Sequence, residues 1–394
     1  MRHFFLILCI LIGNITFIEA QEDSYSINDT ILKTLPENVT IVGLGDPTHQ
    51  ESTITTYRID LIKKLVVEKG YKIIAIEGNM YEFYKAHQRF VIDNDISNYE
   101  KAMYRMLNAK EMEALYSFVY EQNKKGNEVK FLGFDPAFSG VSFAKNIAED
   151  LEQVTVLSQE EKNDFIKYIE KANIANLSAL FRNNKKVKRK IIDYSEKILA
   201  TFKPKNKDDY FFCEALKNMI FLFEDKPNTP YDGDDKRDIG MCMNFDFIRS
   251  QYPEEKVVLF GSSTHLLKIP KSIPLPFYQN NRITFANQLF EKYKDDYFYI
   301  AYTSLSGTKY NYLNKSKPKT IPEAIENSIE YKINQEFDGT AKYITEKTYP
   351  SESIIESRFM GHSFTPLYLW EVIDGLVLIN EVKPFEIKEI DEHK

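Results

Sequence analysis

Asp46-Pro47-Thr48-His49 sets a carboxylate three residues ahead of an imidazole, with a proline stiffening the link. A histidine near its ordinary pKa can take a proton from water at neutral pH, while a carboxylate on its other nitrogen fixes the tautomer and stabilises the imidazolium. Such a base supplies about 10² to 10⁴ in rate, and the rate should rise through a pKa near neutrality. Asp46 and His49 are not alone. Glu77 follows Ala75-Ile76, Asp135 follows Phe131-Leu132-Gly133-Phe134, and His265 closes Gly261-Ser262-Ser263-Thr264-His265. Each ends a short apolar run, so four predicted strands deliver polar groups to one edge. In an open parallel sheet that carboxyl edge is where ligands bind.

The elements that must position these groups follow from patterning. Apolar runs at Val39 to Leu44, Lys72 to Ile76, Val129 to Phe134, Lys256 to Phe260, Tyr297 to Tyr302 and Gly375 to Ile379 do not alternate with polar residues. That pattern suits strands buried on both faces of a parallel sheet. Thr53 to Lys69 carries Ile54, Tyr57, Leu61, Ile62 and Leu65 on one helical stripe and stops at Gly70. The order strand, helix, strand implies right-handed crossovers, hence an α/β fold with a mainly parallel central sheet flanked by helices. From about residue 150 to 250 the pattern is purely helical, read as a layer or lid over the sheet. It includes a basic stretch at Lys185 to Lys190, taken as a solvated helix face, and a Pro-, Asp- and Gly-rich loop at Lys226 to Asp235. Arg58 falls in the middle of the apolar stripe, and a buried guanidinium needs a carboxylate. Glu77 is the expected partner and Asp46 the second choice.

The chain has 394 residues, 43% hydrophobic and 28% charged, enough for a large core. Its 51 basic against 58 acidic residues give a net charge of −7, which leaves no electrostatic footprint for nucleic acid. Three cysteines exclude a disulfide scaffold. Met1 to Ala20 reads as a signal peptide cleaved after Ala20, which would carry away His3 and Cys9 and leave a secreted or periplasmic chain with no membrane span. Cys213 and Cys242 then remain; a bridge between them is allowed, though a helix position amid Met241, Met243 and Phe245 suits Cys242 as a buried thiol. Among the six histidines, His393 is tail. His87, in the helical stretch Tyr81 to Phe90, and His362, in a loop before the last strand, read either as satisfied structural residues or as cleft lining that binds substrate with Asp135 and Ser262.

In order and spacing, Ile41 to His49 followed by Arg58, then Ala75-Ile76-Glu77, Phe131 to Asp135, Arg237-Asp238 with Met241 and Asn244, Val257 into His265, and Asp374 to Ile379 resemble the erythromycin esterase family. The resemblance covers residues 21–394 as one domain. It implies a secreted hydrolase that activates water on a histidine, forms no covalent intermediate and opens an ester or macrolide lactone, a reaction tied to antibiotic resistance. It places the base on His49, the acid on Asp46, the arginine on Arg58, the second-strand glutamate on Glu77 and the later histidine on His265. In the resulting hydrolase reading Asp46 or Glu77 orients His49, and His265 and Arg58 polarise the carbonyl and stabilise the oxyanion. The chain departs from the family at Asp46, where glutamate is usual, at Gln50, where glycine is usual, and at Ser262 and Ser263, which replace a histidine and an asparagine.

Two other readings stay open. Asp46, His49, Glu77, Asp135 and His265 together make a nitrogen and oxygen donor set for a divalent metal, and the wider Tiki-like superfamily includes metal- and haem-binding members; against this, no H-E-x-x-H spacing occurs. The expected site has no metal or other cofactor. Alternatively the cleft has changed, at Asp46 and Ser262, into a non-catalytic small-molecule binder. A serine nucleophile is disfavoured, because Gly261-Ser262-Ser263-Thr264-His265 is not a G-x-S-x-G elbow.

Overall fold

The computed structural model describes residues 27–104, 107–177, 184–224, 233–279, 283–314, 317–336 and 339–388. The expected signal peptide with His3 and Cys9, the loop at 226–232 and His393 lie outside the described residues.

The chain opens its sheet with β1 (Ile41–Asp46), crosses over through α1 (Ser52–Lys69) to β2 (Tyr71–Asn79), and continues through α2 (Met80–Asp93) and α3 (Glu113–Lys124) to β3 (Lys130–Asp135). Helices α4 (Phe143–Leu151), α5 (Gln159–Leu177), α6 (Lys185–Leu199), α7 (Lys207–Phe223) and α8 (Gly233–Gln251) precede β4 (Lys256–Ser262). The short α9 (Ser263–Leu266) and α10 (Phe285–Tyr293) lead to β5 (Tyr297–Lys309) and the edge strand β6 (Lys319–Thr320). After α11 (Ile329–Gln335) come β7 (Ala341–Ile344), the hairpin of β8 (Ile355–Ser357) and β9 (Thr365–Leu367), and β10 (Gly375–Val382).

The strand order is β3-β2-β4-β1-β5-β10-β7, with β6 paired to β5. All neighbours from β3 to β10 are parallel, and only β7 and β6 join antiparallel. The fold is therefore α/β with a mostly parallel central sheet flanked by helices, as the unbroken apolar runs required. The chain first winds outward from β1 to β2 and β3, then returns to place β4 between β1 and β2. Asp46 stands opposite Ser262 in the β1–β4 register, while Ile76, one residue before Glu77, stands opposite Phe260. The carboxyl ends of β1, β4 and β2 thus sit side by side.

Helix α1 packs Ile54, Tyr57, Leu61, Ile62 and Leu65 into the core and ends at Gly70, whose φ of +71° lets its N–H reach the Leu65 carbonyl. On the other side, the ring of Tyr84 on α2 stacks on Phe211 of α7 with centroids 3.6 Å apart. Helix α8 is tied to the sheet by Asn244, whose amide donates to the Phe134 carbonyl at 3.3 Å. That contact sets the start of α8, with Arg237 and Asp238, over the carboxyl ends of the strands. Cys213 is buried, Cys242 is half-buried, and both are free thiols, so the allowed bridge is not formed.

Candidate active site

The site grows from β1. Its last residue, Asp46, remains in the sheet ladder, and the chain then turns so tightly that His49 takes φ of +58°, a left-handed conformation that few non-glycine residues adopt. The turn brings His49 Nδ1 to 2.7 Å from Asp46 Oδ1 and Nε2 to 3.4 Å from Glu77 Oε2. The shorter aspartate side chain at 46 still spans two partners. Its second oxygen pairs with Arg58, whose Nη2 also donates to the carbonyls of Leu44 at 2.6 Å and Gly261 at 3.0 Å.

Arg58 corrects two expectations. Its carboxylate is Asp46, not Glu77, because β4 separates β1 from β2 and the guanidinium spans β1 and β4 only. It is also fully buried and lies on the face of Phe260 at 3.6 Å, so it reaches no substrate and polarises no carbonyl.

Glu77 is the hub. Its Oε2 accepts the Ser262 backbone N–H at 2.8 Å, and Oε1 accepts Arg237 Nη2 at 3.0 Å, with His265 Nε2 at 3.5 Å. His265 in turn places Nδ1 2.7 Å from Asp238 Oδ1, which also accepts the Phe285 N–H. Two carboxylate-held imidazoles, Asp46–His49 and Asp238–His265, therefore face the two oxygens of one glutamate. Arg237 Nε donates to Asp135 Oδ2 at 3.0 Å, and Tyr104 donates to the same carboxylate at 2.9 Å. Arg237 is about one-third exposed, with 32% of its side chain open, whereas His49 and His265 show 16% and 14%. A pocket opens on this group, floored by Asp46, His49 and Glu77 and walled by Leu107, Met112 and Phe260.

Protonation follows from these contacts. Burial alone would lower the His49 pKa, but the Asp46 and Glu77 carboxylates outweigh it and push it up to about 10, well above the expected value near neutrality. His265 behaves alike: burial acts downward, Asp238 and Glu77 act upward, and the net shift is up. Burial would raise Asp46, yet Arg58 and His49 hold it below its ordinary value. For Glu77 burial is likewise overcome, by His265, His49 and Arg237, and its carboxyl stays well below the usual range.

The remaining predicted residues fall as follows. Asp135 belongs to the cluster but is fully buried behind Arg237 and Tyr104, so it holds Arg237 and contacts no ligand. Ser262 Oγ caps α9 through the Thr264 N–H, which leaves its backbone N–H, not its hydroxyl, serving the site. His87 lies away from the cleft, some two turns along α2 from the strand end. Its Nδ1 meets the Tyr99 hydroxyl at 2.7 Å, and burial, with Lys130 at the amino end of β3, lowers its pKa to about 3. His362 is buried against Glu51 rather than lining the pocket. Arg237 and Asp238 carried no assigned role before the structure; they sit in Asp234-Asp235-Lys236-Arg237-Asp238, a run that reads as a solvated helix start. Two signals pointed to them: Arg237-Asp238 is one of the segments that carry the family resemblance, and Met241 and Phe245 on the same helix put one side of it in the core. Among the described residues no group of three or more His, Cys, Asp and Glu is arranged to hold a metal ion.

This is a mostly parallel α/β protein with a charged imidazole–carboxylate–guanidinium site at the carboxyl edge of its sheet. The sequence model of the family described as Erythromycin esterase matches residues 66–365, and the chain belongs to that family. A protein of Bacillus subtilis (strain 168) named "Putative hydrolase YbfO" is 24% identical, with 90% of this chain and 86% of that protein covered. A crystal structure of a Bacillus cereus protein superposes with a TM-score of 0.72 at 19% identity, covering 89% of this chain and 91% of that one. The erythromycin esterase EreC, solved as a mutant in its open conformation, gives 0.63 at 15% identity, covering 92% and 95%. The two structural likenesses establish the fold, and the family points to a hydrolase. Among the described residues no helix is long and apolar enough to cross a membrane.

Proposed function

We propose that the protein is a secreted, metal-independent hydrolase of a small-molecule ester or lactone, macrolides among the candidates, that works through a water activated by His49 without a covalent intermediate. The observation that carries this reading is His49 itself, held at Nδ1 by Asp46 and turning Nε2 toward Glu77 at the pocket floor. In the deprotonated state Nε2 is the lone pair that takes a proton from water, and Asp46 keeps the tautomer that exposes it. Arg237 and His265, which stand against the other oxygen of Glu77 with 32% and 14% of their side chains open, are the donors that would meet the developing oxyanion and the leaving oxygen. Arg58, Asp135 and Asp238 are positioning residues that hold Asp46, Arg237 and His265.

A nucleophilic serine fits the site poorly, since the Ser262 hydroxyl is committed to capping α9. The test is a screen of aryl esters and macrolides with purified protein, wild type beside His49→Ala. Turnover of at least one ester should fall by about 10² to 10⁴ in the variant. Full activity in His49→Ala would end the assignment.

A further inference from the structure

Beside the cluster around Glu77 lies a third carboxylate–imidazole pair, buried, that touches neither Glu77 nor Asp46. His362 Nε2 stands 2.6 Å from Glu51 Oε1, with side-chain exposures of 3% and 0%. Glu51 can only accept, so Nε2 is the nitrogen that donates, and Nδ1 meets no partner among the described residues. Glu51 spends its other capacity on the turn that carries His49. Its Oε1 also accepts the Thr48 hydroxyl at 2.5 Å, and its Oε2 accepts the Gln50 N–H at 3.1 Å. The carboxylate therefore grips the residues immediately before and after His49.

The backbone repeats the tie. The Gly361 N–H donates to the Pro47 carbonyl at 3.0 Å, and Gly361 and His362 both adopt left-handed φ, +66° and +57°, to bring the strap down on the turn. His49 has the same left-handed backbone at +58°. A non-glycine residue stays in that region only where its surroundings over-determine it. The segment from β8 to β9 is far from His49 in sequence and supplies that constraint through one side chain and one backbone contact. The charged groups that bear on the turn are Asp46 and Glu77 against His49, and Lys309 of β5 against Glu51, with Lys319 of β6 next to Lys309.

We infer that the Glu51–His362 pair is a brace that locks the His49 turn, and that it keeps the imidazole seated between Asp46 and Glu77. His362 is thus a positioning residue. Its importance for rate rests on the hydrolase reading, but its effect on His49 does not.

The test reads His49 directly, by NMR titration of histidine-labelled full chain, with His49→Gln used to assign the signal. With His362→Ala the His49 midpoint should drop by about one unit or more, because the imidazole is no longer pinned beside its carboxylates. Turnover of any ester the wild type cleaves should fall about tenfold or more in the plateau kcat reached above the His49 midpoint, where the base is fully deprotonated in both proteins, with little change in KM. His362→Gln returns an N–H donor to Glu51 and should recover part of the midpoint. Glu51→Gln weakens the same pair and should act in the direction of His362→Ala; it carries the experiment should the alanine variant fail to fold. A His49 midpoint unchanged in both variants overturns the brace. A midpoint that moves in a protein that cleaves no ester upholds the brace and counts against the hydrolase reading alone.

Discussion

Burying Asp46, Glu77, Asp135 and Asp238 with Arg58 and Arg237 leaves two negative charges unmatched if His49 and His265 are neutral, and none if both are protonated. Unmatched charge in a low-dielectric site is costly, so the cluster favours imidazolium at both positions. This is the physical origin of the raised histidine pKa values, and it constrains catalysis. A His49 with a pKa of about 10 is mostly protonated at neutral pH, so a base role predicts a rate that climbs with pH well past 7. Glu77→Gln removes one of the two carboxylates that raise it. The ascending limb of kcat/KM should then move toward neutrality by about one unit or more. A pH–rate profile that keeps its midpoint in Glu77→Gln, or one that falls from pH 7 to 10 in the wild type, would show that His49 does not act as the base.

At the scale of elements, Arg58 joins α1 to the ends of β1 and β4, and its loss would leave Asp46 buried beside Glu77 without a guanidinium. Arg58→Met should destabilise the fold by about 3–5 kcal/mol, the range for breaking a buried pair by removing one partner. Asp46→Asn in the same chain should restore part of that, since the uncompensated charge goes too. Urea unfolding checks both, and a loss below about 1 kcal/mol in the single variant contradicts a charge-pairing role. The need for such a clamp was legible in the sequence, because a guanidinium in the stripe of Ile54, Leu61 and Leu65 has to be answered by a carboxylate. Its partner was not, because the choice between Asp46 and Glu77 depends on β4 coming back between β1 and β2, a non-local event. The six buried strands were legible as unbroken apolar runs, yet β1, β2, β3 and β4 run past their expected ends. Asp46, Glu77 and Asp135 look like loop starts but stay in or beside the ladder because arginines neutralise them. The edge strands β6 to β9, two to four residues each and partly exposed, carry no periodicity long enough to read. Arg237 stood in the resembling segment, but its role was hidden for the opposite reason: a charged helix start normally means solvent, and here it meets Asp135 and Glu77.

For the whole molecule, the same ionisations set stability against pH. His49 binds its proton up to about pH 10 in the folded chain but only to 6.5 when unfolded, so its contribution is complete below 6.5 and is lost as pH rises toward 10. His265 is shifted in the same direction and adds to that loss. Asp46 and Glu77 run the other way: their contribution is present above their ordinary values of 3.8 and 4.5 and disappears as pH falls through the lower folded values. Two buried groups outside the site oppose each other in between. His87, lowered to about 3 by burial and Lys130, makes stability rise with pH from 3 to 6.5. Glu82, raised to about 7 by a burial that its hydrogen bonds to Gly140, Ser139 and Ser142 only partly offset, makes it fall from 4.5 to 7. The sum is a maximum between roughly pH 4.5 and 6.5 and a decline above it. Equilibrium unfolding in urea at constant ionic strength, from pH 4 to 10, should trace that shape, and His49→Gln should flatten the alkaline side. Stability that holds level or rises from pH 7 to 10 would mean the histidines are not imidazolium in the folded state. The decline also bears on function: the neutral His49 that a base mechanism requires is populated where the fold is losing the charge balance that holds the site together, so activity and stability should peak at different pH.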